Sequence, residues 1–197
     1  AAGVAAVVLG VWFPFPFRAL SGGQHLFWIV VGVDVVCGPL LTSVLFNPAK
    51  SRRELTLDLS LVALLQLAAL LYGLHSVSLA RPVVVAFETD RLVAVSAAQI
   101  SPGDLPQASP EFRSLSWTGP VLVSTRAPTD GAETLKSIDL SMQGVEPSAR
   151  PGWWQSYEKS RQLVQQRMKN LASLRARLPA DKQAIIDEAV KKTSLPV

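Results

Sequence analysis

The stretch QHLFWIVVGVDVVCGPLLTSVLFNPAK, residues 24–50, decides how the rest of this chain is interpreted. It is apolar over about 20 residues, which is the length of a helix that crosses a bilayer. Asp34 lies near the middle of the run, although an ionised side chain at the centre of a bilayer costs several kcal/mol. Asp34, Gly38 and Thr42 follow at four-residue steps and therefore share one face of a helix, beside a proline that predicts a kink. The stretch predicts a membrane helix that packs against another helix through this small, polar face.

The carboxyl of Asp34 has three interpretations. In the first, it is neutral and hydrogen-bonded to a neighbouring helix, where Gln66 or Tyr72 lies at the matching depth, roughly 14 Å from the outer end of the run. In the second, it receives a group from the helix of a partner protein. In the third, it relays a proton, although no second carboxylate lies near the middle of an apolar run. The first two interpretations both require a helix packed against this face.

Two further apolar runs flank this stretch. Residues 1–12 are continuously apolar but cover only about half a bilayer span. We interpret them as the end of a truncated first helix rather than a signal-peptide remnant, since no small-residue cleavage pattern follows. Residues 57–79 form the third predicted span, in which Ala69 and Gly73 make a small step that lets another helix approach closely. The runs predict a polytopic α-helical membrane protein with three transmembrane helices and a C-terminal α+β periplasmic domain.

Basic residues predict which way the spans run. Lys50, Arg52 and Arg53 lie in the short loop between the second and third runs, and basic loops stay in the cytoplasm. The N-terminus is therefore predicted to lie in the cytoplasm and the C-terminal domain outside, which is the periplasm in a Gram-negative host. The transmembrane region is predicted to cover residues 1–80, with helices at about 1–12, 25–46 and 57–79, and the periplasmic domain to cover residues 81–197.

The second part of the chain has the pattern of a compact domain with strands and helices. β-branched segments bounded by turn residues predict strands, at residues 82–87, 91–95 and 120–125. The first two form a hairpin. Apolar residues at three- and four-residue steps predict helices, at residues 130–143, 152–178 and 183–192.

Composition and motifs limit the classes of function. The hydrophobic fraction is 49% and the charged fraction 17%. The net charge of +4 comes from the predicted membrane boundary and from the C-terminal helices, so we predict no nucleic-acid partner. The single cysteine, Cys37, lies in an apolar run, which leaves the exported domain without a disulfide. His25 and His75 are isolated and no nucleophile, phosphate or metal motif appears, so we predict no enzyme activity, no metal and no cofactor.

Several long motifs together resemble a known family. They are FPFPFRALSGG at residues 13–23, VGVDVVCGPLLTSVLFNP at 31–48, SRRELTLDLSLVALLQLAALLYGLHSV at 51–77 and ARPVVVAFETDRL at 80–92. Looser matches are the WTGP motif around Trp117 and the GWWxxY motif at residues 152–157. The chain resembles the type IV pilin accessory proteins, the TfpX/TfpZ group. The resemblance implies an inner-membrane protein that acts in pilin stability, pilus assembly or pilus dynamics, without enzymatic activity.

The residues and the resemblance together predict an accessory protein or chaperone that binds type IV pilin. The predicted partners are the type IV major pilin and the lipid bilayer, with contacts to other pilus assembly components left open. The predicted binding face in the membrane consists of Asp34, Gly38, Pro39, Thr42, Gln66, Ala69, Tyr72 and Gly73. A weaker periplasmic set consists of Trp153, Trp154 and Tyr157. The alternative is a membrane sensor or regulatory subunit with a ligand-binding periplasmic domain, for which the loop at 47–54 is too short to be an output element.

Overall fold

The structure is a computed structural model, and it describes residues 2–17, 27–28, 31–32, 35–36, 38–40, 42–43 and 51–193. The helices in that part are α1 (Ala2–Val7), which a π-helical segment (Val8–Trp12) extends, α2 (Arg52–Ala80), α3 (Gly131–Met142), α4 (Arg161–Arg167), α5 (Leu171–Arg175) and α6 (Ala180–Thr193). The strands are β1 (Pro82–Glu88), β2 (Arg91–Ser96), β3 (Val121–Thr125) and β4 (Trp154–Ser156). The described residues between 27 and 43 are helical as well.

The residues at the two ends of α2 explain where this helix begins and ends. The Ser51 hydroxyl oxygen accepts a hydrogen bond from the Glu54 N–H at 3.3 Å, and the Glu54 carboxylate accepts one from the Ser51 N–H at 3.0 Å. Leucine and alanine, both strong helix formers, fill the interior. The helix ends before Arg81, because a residue that precedes proline is driven out of the helical region. The helix predicted at residues 57–79 is present and begins about one turn earlier.

The prediction of a polytopic protein with three transmembrane helices is wrong. In the part of the chain that the structure describes, one helix, Arg52–Ala80, is long and apolar enough to cross a membrane, judged by length and composition. The N-terminal apolar helix runs only over Gly3–Trp12, which at 1.5 Å per residue is roughly 15 Å, or about half of the hydrocarbon core. The predicted helix over residues 25–46 falls mostly outside the described residues. For the N-terminal run, apolar character alone overstated the number of spans, because a spanning helix must also be long enough to cross the hydrocarbon core.

Four strands form one mixed sheet in the order β2-β1-β3-β4. β1 and β2 pair antiparallel, with Val85 opposite Ala94, and Thr89 in the turn between them has a φ of 55°. β3 lies parallel to β1, with Ala86 opposite Val123, and β4 is antiparallel to β3. The predicted hairpin and the predicted third strand are confirmed, whereas β4 lies in a segment predicted to be helical.

We call the four strands and the segments that connect them, residues 82–156, the sheet domain. Its core packs the strands against the turns that connect β2 to β3. Its buried apolar side chains are Val83, Val84, Ala86, Val95, Ala97, Ile100, Ala108, Val123, Ala149 and Trp154. β1 is buried along nearly its whole length, as expected for a strand that lies between two others. Because β1 begins at Pro82, directly after α2, the sheet is joined to that helix without a linker.

Capping residues define both ends of α3. The Asp130 carboxylate accepts a hydrogen bond from the Glu133 N–H at 2.7 Å, which caps the start of the helix. Gly144 follows the end of the helix with a φ of 86°, a conformation that glycine adopts without strain. The predicted helix over residues 130–143 is confirmed.

The long helix predicted over residues 152–178 is wrong. Its first part contains β4, in which Trp154 pairs with Thr125 of β3. Its second part is divided into α4 and α5, because Asn170 is extended, with a ψ of 125°, and its side chain caps α5. Pairing with a distant strand outweighs the local helical spacing, since it satisfies the backbone and buries an indole ring at the same time.

The chain divides into two compact units, Ala1–Tyr157 and Glu158–Val197. The second unit contains α4, α5 and α6, and α6 corresponds to the predicted final helix. Within it, the Arg175 guanidinium donates two hydrogen bonds to the Asp187 carboxylate, both at 2.7 Å, and so joins α5 to α6. The predicted division at residue 80 concerns location relative to a membrane, and it stays a prediction.

Candidate partner-binding surfaces

The two sides of α2 differ in what covers them. Gly73 and Val77 are buried on one side, where Val77 packs with Val8 and Phe13 of the N-terminal segment. The rest of the circumference exposes leucine side chains, namely Leu57, Leu61, Leu64, Leu65, Leu67, Leu71 and Leu79. Only 11% of the most apolar stretch of the helix is buried. An apolar surface of this extent needs lipid or another protein surface to cover it.

Two of the predicted site residues, Gly38 and Gln66 of α2, lie next to each other on the covered side of α2. A Cβ added to Gly38 would be 3.3 Å from the side-chain nitrogen of Gln66, so the helical segment around Gly38 approaches α2 closely. Thr42 is exposed, and its hydroxyl donates to the Gly38 carbonyl at 2.9 Å. Pro39 is exposed as well, and its carbonyl accepts a hydrogen bond from the Ser43 hydroxyl. Asp34 lies outside the described residues.

The two residues of the predicted small step on α2 share one face of the helix but differ in burial. Gly73 is buried, whereas Ala69 is exposed and Tyr72 is 75% exposed. Leu65, Ala69 and Tyr72 follow at steps of four and three residues and therefore lie on one line along the uncovered side. We call these three residues the α2 strip. Its one small residue, Ala69, lets a second helix approach more closely at that point than Leu65 or Tyr72 would.

A cluster of aromatic rings surrounds Arg81, where α2 meets the sheet. The Arg81 guanidinium carbon lies 3.8 Å from the centroid of the Trp117 ring, and that ring lies 6.0 Å from the ring of Trp12. Arg81 also donates hydrogen bonds to the carbonyls of Ser78 at 2.6 Å and Ser116 at 3.2 Å. Burial lowers the pKa of the Arg81 guanidinium, yet arginine stays charged at neutral pH. The cluster ties the loop before β3 to the end of α2.

A cleft of about 540 Å³ opens beside α3, and Lys136 is among the residues that line it. In its wall, the Arg126 guanidinium donates to the Glu133 carboxylate at 2.9 and 2.6 Å. Its central carbon lies 4.9 Å from the centroid of the Trp153 ring. The hydrogen bond from Arg126, followed by one from the Thr129 N–H, lowers the pKa of Glu133 to about 2. Both partners are therefore charged at neutral pH, and the cleft has the size of a small-molecule site.

Arg150 fastens α3 to the segment that precedes β4. Its guanidinium donates to the Ser137 carbonyl and hydroxyl at 2.9 and 2.7 Å, to the Ser141 hydroxyl at 3.1 Å, and to the Val145 carbonyl at 2.6 and 3.1 Å. Burial lowers the pKa of Arg150, and these hydrogen bonds replace the water that its 7% exposed side chain has lost. Its central carbon also lies 5.0 Å from the centroid of the Trp153 ring. Two arginines thus contact Trp153, which holds the cleft wall together.

The weaker periplasmic set does not form one surface. Trp153 lines the cleft, but Trp154 is only 4% exposed and its indole N–H donates to the Ser148 carbonyl at 2.8 Å. Tyr157 is half-buried. Of the three, only Trp153 is placed where a ligand in the cleft can touch it.

The sequence alone does not predict the Arg81–Trp117 contact or the Arg126–Glu133 pair. The WTGP motif pointed to Trp117, and Glu133 stands three residues after a helix cap, but nothing in the linear spacing joins either residue to its arginine. Among the described residues, no group of three or more His, Cys, Asp or Glu side chains is placed to hold a metal ion. The absence of a metal, a cofactor and an enzymatic activity stays a prediction.

The fold and these surfaces define a class of protein, in which a small mixed-sheet domain is joined without a linker to a long, largely uncovered apolar helix. The chain is 36% identical to the fimbrial assembly protein of serogroup I from Dichelobacter nodosus over 195 residues, which are 99% of this chain and 76% of the relative. It is 36% identical to the serogroup E1 protein of that organism over 192 residues, 98% of this chain and 75% of the relative. It is 44% identical to the protein of serogroups C1 and C2 over 108 residues, 55% of this chain and 82% of the relative. The chain belongs to this family of fimbrial assembly proteins.

No family model matches the chain, and no solved structure matches it. The resemblance seen in the sequence motifs is confirmed at the level of a fimbrial assembly family. The narrower assignment to the TfpX/TfpZ group stays a prediction.

Proposed function

We propose that this protein is a bacterial inner-membrane accessory protein of type IV pilus assembly, of the TfpX/TfpZ kind, and that it binds pilin. Membership in the fimbrial assembly family supports a role in building the pilus. The observation that carries the proposal is that α2 leaves most of its apolar circumference uncovered. In this role the protein stabilises pilin or supports its assembly, and it catalyses no reaction.

The length of α2 supports a position across the bilayer. Its 29 residues extend over roughly 44 Å at 1.5 Å per residue. That distance equals the thickness of a bilayer with its headgroups, about 40–45 Å. Arg52 and Arg53 begin the helix, and basic residues favour the cytoplasmic side. The sheet domain, which follows the other end, then lies in the periplasm.

A pilin subunit in the inner membrane has a long apolar helix below a globular head. A protein that binds it needs one surface inside the bilayer and a domain beside the head. The α2 strip supplies the first, since Ala69 lets the pilin helix approach between two larger side chains. The sheet domain supplies the second, because it follows α2 without a linker.

Site-specific crosslinking tests this contact. We would replace Tyr72 by a photoreactive aromatic amino acid in the full-length protein and express it with the pilin encoded by the same host. The matched control places the same group at Leu67, which is also exposed but points about 140° away around the helix. We expect a crosslink to pilin from position 72 and a much weaker one from position 67.

Two tryptophan variants give an independent readout. Ala69→Trp fills the gap in the α2 strip and should reduce the pilin recovered with the tagged protein, whereas Leu67→Trp should leave recovery unchanged. If both variants recover equal amounts of pilin and position 72 gives no crosslink, the α2 strip does not contact pilin. A wild-type protein that recovers no pilin at all would overturn the proposed function.

The cleft beside α3 favours a second candidate, a membrane sensor or regulatory subunit that binds a small ligand outside the cell membrane. The cleft has a suitable volume, about 540 Å³. Arg126 in its wall is already paired with Glu133, so a ligand would meet that guanidinium with its charge satisfied, and Lys136 is a further cation in the lining. Two results together would favour the sensor. The amount of pilin recovered would not change in Ala69→Trp, and a ligand would protect the amides of the cleft from hydrogen exchange.

A further inference from the structure

We infer that the sheet domain rests on the outer surface of the bilayer through Trp117, whose indole ring inserts among the lipid headgroups. The inference rests on the proposed position of α2 across the membrane. The Trp117 contact gives the sheet domain a second attachment to the membrane. With α2 as its one attachment, the domain would be free to tilt.

The position of Trp117 follows from its contact with Arg81. Arg81 is the first residue after α2, and a helix of this length places both of its ends at the level of the headgroups. The Trp117 ring lies 3.8 Å from the Arg81 guanidinium, so it lies at the same level. The Trp12 ring lies 6.0 Å from the Trp117 ring, so a residue of the N-terminal segment and a residue of the sheet domain meet at this level.

The side chains around this point have the chemistry of a membrane interface. Trp117 is 57% exposed, and Phe15, which follows the N-terminal helix, is 79% exposed. Exposed indole rings are favoured at the headgroup layer, because the ring is apolar and its N–H still reaches polar groups. Arg81 is buried beneath the ring, so it holds the ring in place and does not itself reach the lipid.

The occupant of this surface is lipid rather than a partner protein. A bilayer crossed by α2 surrounds the helix on every side that the protein leaves open. The uncovered side continues to the junction, where Leu79 is 41% exposed. Trp117 therefore meets lipid wherever α2 spans a membrane, whereas contact with a partner would require that partner to be present.

Fluorescence quenching by brominated phospholipids tests the inference. The full-length protein is reconstituted alone into liposomes whose acyl chains carry bromine either close to the headgroup or near the middle of the bilayer. The quenched part of the tryptophan emission is compared between wild type and Trp117→Phe. We expect shallow bromine to quench wild type clearly more than the variant, and deep bromine to show a smaller difference. Trp117→Tyr, which keeps an amphipathic ring, serves as a second variant without the indole.

Two controls separate this inference from the proposed function. Trp153→Phe removes an indole near the end of β3 that is remote from Arg81, so it should remove none of the quenched emission. Leu65→Trp adds an indole at mid-helix of α2, which deep bromine should quench if the helix spans the bilayer.

The outcomes are distinct. Quenching of Leu65→Trp by deep bromine, with equal shallow quenching of wild type and Trp117→Phe, would overturn the inference and leave α2 in the membrane. The absence of quenching in Leu65→Trp would overturn both. An unquenched Trp117 that crosslinks to pilin instead would assign this surface to the partner and also overturn the inference.

Discussion

Replacing Arg150 by methionine should weaken the attachment of α3 to the rest of the sheet domain. The guanidinium makes five hydrogen bonds, to Ser137, Ser141 and Val145, and methionine preserves much of the side-chain length but none of these donors. α3 itself has no buried residue, so little apolar packing remains to hold it. The change therefore acts mainly on the attachment of one helix.

The magnitude follows from the hydrogen bonds and the charge. A hydrogen bond to a charged group contributes roughly 1.5–3 kcal/mol, but five bonds from one group do not add, and removing a buried charge also removes its desolvation cost. We take a net loss of about 3 kcal/mol, which is large for a single substitution. Since every 1.4 kcal/mol is about tenfold, local opening of α3 should become about 100-fold more frequent.

Amide hydrogen exchange of the full-length protein in detergent measures this opening directly. The α3 amides should exchange about 100-fold faster in Arg150→Met, while the β1 amides change little. Arg113→Met is the matched control, because this exposed arginine makes a single hydrogen bond, to the Ala108 carbonyl at 3.1 Å. Unchanged α3 exchange in Arg150→Met, or equal effects of the two variants, would refute the reasoning.

Three further predictions concern stability. Gly119→Ala should cost roughly 1–3 kcal/mol by thermal unfolding, because its φ is 97° and the added Cβ would lie 3.1 Å from Pro14. Gly103→Ala, whose Cβ would meet nothing closer than 3.8 Å, should cost less. The pKa of Glu133 falls from 4.5 to about 2 on folding, so its contribution to stability is present above pH 4.5 and is lost as pH falls through 2. The difference in melting temperature between wild type and Glu133→Gln should therefore close over that range. Trp154→Phe should cost roughly 1–3 kcal/mol in denaturant unfolding, because a buried carbonyl loses its indole donor, and an unchanged midpoint would contradict this.

The sequence predicted those elements that neighbouring residues decide. The leucine-rich run predicted α2, the two β-branched segments predicted the hairpin, and the spacing of apolar residues predicted α3. The predictions failed where distant residues decide. The segment that begins at Trp154 has helical spacing, but it forms a strand because β3 offers backbone partners and a buried place for the indole.

The same limit applies to the candidate surfaces. Ala69 and Tyr72 were expected on a binding face, and the structure leaves both exposed on the uncovered side of α2. Gly38 and Gln66 were assigned to the same face, but they lie against each other on its covered side. Helical spacing shows which residues share a face, but not whether the chain itself covers that face.

By itself, the sequence determined the apolar α2 with its basic start and the hairpin that follows it, because each depends on composition and order within one segment. Only the tertiary structure decided which side of α2 stays open, that Trp117 lies over Arg81, and that Arg150 holds α3. These contacts join residues that are far apart in the chain or turn toward each other only after the strands pair, and no linear spacing encodes them.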